Sequence, residues 1–287
     1  MFERDGYMSG VPCWIDTAQP DPNAAKAFYG DLFGWAFEDR MPPGSGGHYY
    51  MATLRGLEVA AIGSQPEGSP PLPTWNTYVW VDSADATAAK VKEAGGAVLM
   101  EPFDILDTGR MAVCADPLGA GFNLWKPNQH RGARLTNVPG AWNWSNLNTR
   151  DLERSRAFYG AVFGWEVHPL DMGDFHGLLL CLPGYADFLE QRYPGTRQRH
   201  AAFGAPEAFT SAIGWVDLMT TDEAPSHWRV TFAVEEVDTV VDATTARGGK
   251  VLTPAASVHV ADAVAVKSAV LSDPQGAAFG VNSFVQS

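Results

Sequence analysis

The sequence predicts an α+β fold made of two tandem copies of one domain. Three landmarks carry that reading. Ala27–Trp35 (AFYGDLFGW) returns as Ala157–Trp165 (AFYGAVFGW), 130 residues later, with seven of nine positions identical. The segment opening at Trp75 (WNTYVWVDSADATAAKVKEAGGAV) returns at Trp228 (WRVTFAVEEVDTVVDATTARGGKV), and DPLGAGF at Asp116 returns as DPQGAAF at Asp273. The landmarks keep their order while the offset grows to 153 and then 157 residues, so the second copy is the first plus insertions. Most of the added length, 23 residues, falls between Trp165 and Trp228.

Each copy reads as strand, helix, strands, twice over. Cys13–Thr17 is a short strand. Asp21 is placed to cap a helix, with Pro22 at its first position, where a missing N–H costs little. Ala24, Phe28 and Leu32 then recur every four residues as one apolar stripe; Asp151, Phe158 and Val162 repeat the arrangement. Residues 47–63 give two strands around a turn at Arg55–Gly56. Thr77–Val81 is β-branched and aromatic and reads as a strand. Ala84–Ala94 reads as a helix stopped by Gly95–Gly96. Three short strands complete the copy, the last after the turn Asp116-Pro117-Leu118-Gly119. In that turn Asp caps, Pro fixes φ and Gly takes the positive-φ corner, which is a structural role. Elements segregated this way favour a largely antiparallel sheet.

The join is a polar, basic stretch with two prolines and two glycines (KPNQHRGARLTNVPGA) and no periodicity. The first domain is expected over 8–127, a linker over 128–139 and the second domain over 140–284. The second copy alone carries an inserted loop, 184–215, with a short helix over Ala186–Tyr193 stopped by Pro194. Arg192, Arg197 and Arg199 make it locally basic. It reads either as a lid whose arginines meet an anionic ligand group or as a brace between domains.

Composition narrows the function. The chain has 287 residues, 46% of them hydrophobic, and a formal net charge of −13. A core is available, and an acidic chain argues against a nucleic-acid partner. No apolar run approaches the roughly 18 residues that a membrane helix needs. No basic, apolar leader opens the sequence, and three scattered cysteines make neither a disulfide framework nor a CxxC zinc site. The expectation is a cytoplasmic protein without membrane partners. Ten tryptophans are unusual; they serve either as core or as walls for flat ligands.

The ordered set of FYGxxFGW helix ends, the V-D/E-x-x-D segments at Val81–Asp85 and Val234–Asp238, the Gly-Gly stops and the DPxG turns resembles the vicinal oxygen chelate superfamily of glyoxalase, bleomycin-resistance and extradiol-dioxygenase proteins. The resemblance spans most of both domains. It implies two glyoxalase-like domains, each of two βαβββ modules whose curled, mostly antiparallel sheet surrounds a ligand cleft. It also implies places for metal ligands. On the first strand those places hold Trp14 and Trp144; on the strand opening the second module, Asn76 and Arg229; seven residues after the DPxG aspartate, Asn123 and Gly280. Indole, glycine and guanidinium do not ligate a divalent metal, and a neutral amide is a poor substitute. No metal and no cofactor are therefore expected.

Trp14 and Trp144 are candidate ligand walls or plain core filling. Asp16 and Asn146 share their face by period two. A carboxylate beside an indole can be raised in pKa and act as a base, against the plainer reading of an Asp at a strand end. His48, eight residues before Gly56 as His176 is before Gly184, is a candidate proton shuttle, against an ordinary loop histidine. The catalytic candidates are thus Asp16 and His48, and the ligand-binding candidates Trp14, Asn76, Asn123, Trp144, Asn146 and Arg229. The function expected is metal-free binding of an organic, aromatic-containing small molecule, of resistance or sequestration type. The alternatives are a metal-independent lyase, isomerase or cyclase, and an interaction scaffold with filled clefts. Fusion of two domains can supply within one chain the pairing that single-domain relatives achieve as dimers, so both a monomer and a homodimer remain open.

Overall fold

The computed structural model describes residues 2–286 except 67, 69–71, 173, 203, 221–224 and 262–263. A two-residue strand, β1 (Phe2–Glu3), opens the chain. The first half follows as β2 (Pro12–Gln19), α1 (Pro22–Phe33), β3 (Ala36–Asp39), β4 (Tyr49–Leu54), β5 (Leu57–Ser64), β6 (Trp75–Trp80), α2 (Ala84–Glu93), β7 (Ala97–Ile105), β8 (Gly109–Ala115) and β9 (Gly121–Pro127). After β10 (Leu135–Thr136) the second half repeats the order. Its elements are β11 (Trp142–Thr149), α3 (Leu152–Phe163), β12 (Glu166–Met172), β13 (Phe175–Cys181), α4 (Tyr185–Arg192), α5 (Thr196–Ala202), a 3-10 turn (Glu207–Ser211), β14 (Ala212–Leu218), β15 (His227–Ala233), α6 (Val237–Ala246), β16 (Lys250–Ala261), β17 (Val264–Ser272) and β18 (Ala278–Gln286).

Each half forms one eight-stranded sheet of two βαβββ modules, in the orders β3-β4-β5-β2-β6-β9-β8-β7 and β12-β13-β14-β11-β15-β18-β17-β16. The first strand of each module pairs in parallel with its last; the other neighbours, including the central pairs β2–β6 and β11–β15, are antiparallel. The fold is the α+β architecture expected. Asp21 caps α1 by accepting from the backbone of Asn23 and Ala24, and Gly34 ends it in the left-handed region at φ 70°. Asp151 and Gly164 do the same for α3.

The repeated motifs interlock the two halves. Tyr29, Phe33 and Trp35 of the first AFYGDLFGW pack against Phe232 and Phe279 of the second half. Tyr159 and Phe163 pack reciprocally on Phe122. Trp35 Nε1 donates to Gly140 O and Trp165 Nε1 to Gly10 O, each at 2.7 Å. The DPxG aspartates cap their own turns through Oδ1, as expected. Their other oxygens accept from the opposite half: Tyr29 Oη reaches Asp273 Oδ2 at 3.0 Å, and Tyr159 Oη reaches Asp116 Oδ2 at 3.2 Å.

The stretch between the sheets is tied down as well. β10 pairs antiparallel with β1, so the N-terminal arm lies along it. The insertion holds the same arm: Tyr193 Oη donates to Glu3 O at 2.9 Å, Arg4 Nη1 donates to Tyr185 Oη at 3.0 Å, and Arg192 pairs with Asp5.

Candidate functional site

The concave faces of the two sheets are built from matching positions, and the strand register identifies them. Trp14 faces Tyr78 and Asp16 faces Asn76 across β2–β6; Trp144 faces Thr231 and Asn146 faces Arg229 across β11–β15. Tyr78 pairs with Asn123, and Thr231 with Gly280. One step on, Trp80 and Trp125 correspond to Ala233 and Asn282. The first half therefore carries the larger side chain at every one of these last four positions.

That difference decides which face is open. In the first half Trp14 (2% exposed), Asp16 (6%), Tyr78 and Asn123 are buried. Asp16 sits under three donors: Tyr78 Oη at 2.7 Å, Asn76 Nδ2 at 2.9 Å and Tyr49 Oη at 3.1 Å. Trp14 Nε1 donates to the same Tyr49 hydroxyl. His130, from the stretch after β9, sets its ring edge-on to Trp14 at 4.4 Å, and its carbonyl accepts from Trp125 Nε1. Burial pushes the Asp16 carboxyl above its ordinary range, and the three donors pull it back only in part. His48 stands apart from this cluster: it pairs with Asp39 at 2.6 Å and stacks on Tyr50. His176 pairs with Asp171 in the same way on the matching hairpin.

In the second half the face opens into a cavity of about 280 Å³. Trp144, Trp215, Phe175 and Phe209 wall it; Trp215 meets Trp144 and Phe175 edge-on at 5.7 and 5.4 Å. Its floor is polar. Arg229 donates to Asp217 Oδ2 at 2.7 Å and to Asn148 Oδ1 at 2.8 Å. Asn146 Nδ2 donates to the same Asp217 oxygen at 3.0 Å, and Thr231 Oγ1 reaches Asn146 Oδ1 at 3.3 Å. A Cβ at Gly280 would lie 2.5 Å from Thr231 Oγ1, so a larger residue there would force Thr231 to shift.

The structure thus gathers Trp144, Asn146 and Arg229 around an open cavity, and gathers Trp14, Asp16, Asn76 and Asn123 in a packed cluster. Sequence reasoning missed Asp217, Trp215, Phe175 and Phe209. Trp215 and Asp217 belong to β14, which begins at Ala212, inside the stretch read as insertion. Period two from Asn146's parallel partner Trp215 leads directly to Asp217, but only once that pairing is known. The insertion's Arg197 pairs with Asp187, and Arg199 donates to Pro194 O, Tyr193 O and Thr196 Oγ1.

The donor set does not suit a metal. Where the resemblance places ligands, the open cleft has an indole, a glycine and a guanidinium that itself brings positive charge. The one carboxylate of the packed cluster, Asp16, already accepts three hydrogen bonds. Among the described residues no three His, Cys, Asp or Glu side chains are grouped to hold an ion. No helix among them is long and apolar enough to cross a membrane.

Residues 14–124 match the model of the glyoxalase/bleomycin resistance protein/dioxygenase superfamily, and residues 143–178 match the bleomycin resistance protein-like N-terminal model. The protein "Putative glyoxylase CFP32" of Mycobacterium tuberculosis is 38% identical over 98% of this chain and 97% of its own length. Anthracycline biosynthesis protein DnrV of Streptomyces peucetius is 34% identical over 96% of this chain and 94% of its own. Among solved structures, the Mn(II)-bound glyoxalase of Novosphingobium aromaticivorans superposes with a TM-score of 0.58 at 16% identity, over 97% of this chain and 85% of that one. The 2,3-dioxygenase LapB of Pseudomonas sp. KL28 also gives 0.58, at 14% identity, over 96% and 93%. At these identities the structural likeness speaks for the fold alone.

Proposed function

The chain belongs to the glyoxalase/bleomycin resistance protein/dioxygenase superfamily, and on that premise we propose that it binds a small organic molecule with a flat aromatic body in the cleft of its second sheet, without a metal. The observation that carries this reading is the cavity of the second sheet, lined by one contiguous aromatic cluster of Trp144, Trp215, Phe175 and Phe209 and by the polar set of Asn146, Asp217 and Arg229. Aromatic walls with a few convergent polar groups suit a flat ligand bearing one or two hydrogen-bonding substituents. Asp217 offers acceptor capacity beyond its bonds to Arg229 and Asn146, so a phenolic or enolic hydroxyl fits the floor. The relative named for anthracycline biosynthesis supports an organic ligand. The first cleft acts as packed core, with Trp14 and Asp16 in structural roles.

Native mass spectrometry of protein purified without chelator tests the metal-free part. The expected spectrum shows the bare polypeptide or one organic adduct. A stoichiometric mass of zinc, iron, manganese or nickel overturns it. Titration with 2-naphthol, followed by tryptophan fluorescence, tests the cleft. One saturable site is expected, weakened by roughly tenfold in Trp144→Ala and unchanged in Trp14→Phe. Conversion of a bound compound by the wild type but not by Asp217→Asn would make the protein an enzyme rather than a binder.

A further inference from the structure

The cleft of the second sheet is longer than a two-ring ligand needs. β15 and β18 run parallel, with Thr231 beside Gly280. Arg229 stands two residues before Thr231 and Phe284 four after Gly280, so the concave face runs six residues from one to the other. At about 3.3 Å per residue that is roughly 20 Å. Strand alternation keeps Gly280, Asn282 and Phe284 on this one face, and all three line the cleft. Where the first half fills the matching stretch with Trp80 and Trp125, the second has Ala233 and Asn282. The space is open there: a larger cavity of about 610 Å³ adjoins the cleft, and Trp144, Phe209, Asn282 and Phe284 line both.

The two ends offer different chemistry. At one end the Asp217 carboxylate, held by Arg229 and Asn146, accepts hydrogen bonds. At the other, Asn143 Nδ2 donates to Asn282 Oδ1 at 2.8 Å, which orients the Asn282 amide. Its own Nδ2 donates to no described residue. The side chain is only half-buried, so a ligand can reach that donor and match it with an acceptor oxygen. Beyond it, the Phe284 ring is 66% exposed at the rim. Apolar area left open beside an aromatic-walled cavity is area that a ligand can cover. Between the ends, Phe175, Trp215, Trp144 and Phe209 make a wall without a break.

We propose that the cleft takes an elongated fused-ring molecule of three or more rings. Its hydroxyl meets Asp217, a carbonyl oxygen toward its far end meets Asn282 Nδ2, and its last ring lies against Phe284. Asn282 and Phe284 are then the residues that select for length. This rests on the cleft being the ligand site.

The test titrates the full chain calorimetrically with 2-naphthol, 2-anthrol, which adds one ring, and 6-acetyl-2-naphthol, which adds a carbonyl far from the hydroxyl. 2-Anthrol is expected to bind roughly fivefold more tightly than 2-naphthol, as burial of one more ring allows. The acetyl compound should gain roughly threefold to tenfold, as one neutral hydrogen bond allows. Phe284→Ala should abolish the gain from the ring, and Asn282→Leu the gain from the carbonyl. Neither variant should change the affinity for 2-naphthol. Phe284→Ala alters an exposed side chain, so it guards against a folding fault in Asn282→Leu. If 2-naphthol binds and the longer probes gain nothing, the elongated ligand is overturned and the cleft stands. A gain that persists in the matching variant overturns that residue's role. Failure of all three probes to bind overturns the cleft reading and this one with it.

Discussion

Tyr29 and Asp273 are 244 residues apart, yet the phenol of one donates to the buried carboxylate of the other at 3.0 Å across the interface between the two halves. Tyr159 and Asp116 repeat the bond in the opposite sense. Trp75 and Trp228 complete the pair, each donating its indole N–H to the tyrosine hydroxyl on its own side. The FYG and DPxG motifs are therefore two parts of one reciprocal clasp.

Removing the Tyr29 hydroxyl takes one donor from the buried Asp273 carboxylate, which keeps Gln19 Nε2, and leaves the buried Trp75 Nε1 without its acceptor. Tyr29→Phe is expected to cost about 1–3 kcal/mol of folding stability. Tyr50→Phe, whose hydroxyl meets a solvent-exposed asparagine, should cost about 1 kcal/mol or less. Urea unfolding of both variants checks the order; equal losses would remove the clasp's special role.

Asp16 supplies a pH test. Burial raises its carboxyl above the ordinary value of 3.8, so the folded protein keeps this proton to higher pH than the unfolded chain does. The associated stability is present below the unfolded value and is lost as pH climbs through the folded one. Asp16→Asn removes that linkage. Over the acid range above pH 3.8, the variant's unfolding midpoint should therefore fall less steeply with rising pH than the wild type's. Parallel pH profiles would mean that Asp16 titrates as an exposed carboxyl does.

The fold was legible because its signals are local. The Asp21 and Asp151 caps, the Gly34 and Gly164 stops and the twice-repeated landmarks are all read without knowing which strands pair. The choice of cleft was not legible, because it depends on cross-strand neighbours. Trp14 and Trp144 look equivalent along the chain. Only the register reveals that one faces Tyr78 and the other Thr231, or that Asn123 is replaced by a glycine beside that threonine. Asp16 next to Trp14 suggests an activated carboxylate; nothing nearby in sequence announces the hydroxyls of Tyr49 and Tyr78 that cover it. Asp217 escaped notice because its strand follows an insertion with no counterpart in the first half.

The cysteines should be chemically silent in the native state. Cys13, Cys114 and Cys181 are all free and buried. Burial pushes the Cys114 and Cys181 thiols up to about 12 and raises Cys13 as well, so little thiolate forms near neutral pH. Ellman's reagent at pH 8 should titrate essentially no thiol in the folded protein and all three after denaturation. A fast-reacting native thiol would expose an opening that the packed structure does not have.

Thr231→Tyr gives the second half the residue that the first half has at the matching place, Tyr78. The phenol would stand over Gly280 and project among Trp144, Asn146 and Asn282, on the cleft side of β15. Because the first sheet tolerates this side chain in the same register, the fold should survive, with a cost of roughly 1–3 kcal/mol for the added volume. Binding of 2-naphthol should fall by more than about tenfold, the equivalent of 1.4 kcal/mol. Circular dichroism and the fluorescence titration, run on one preparation, separate the two effects. If a folded Thr231→Tyr protein still bound the probe as the wild type does, the ligand would have to lie somewhere other than the cleft of the second sheet.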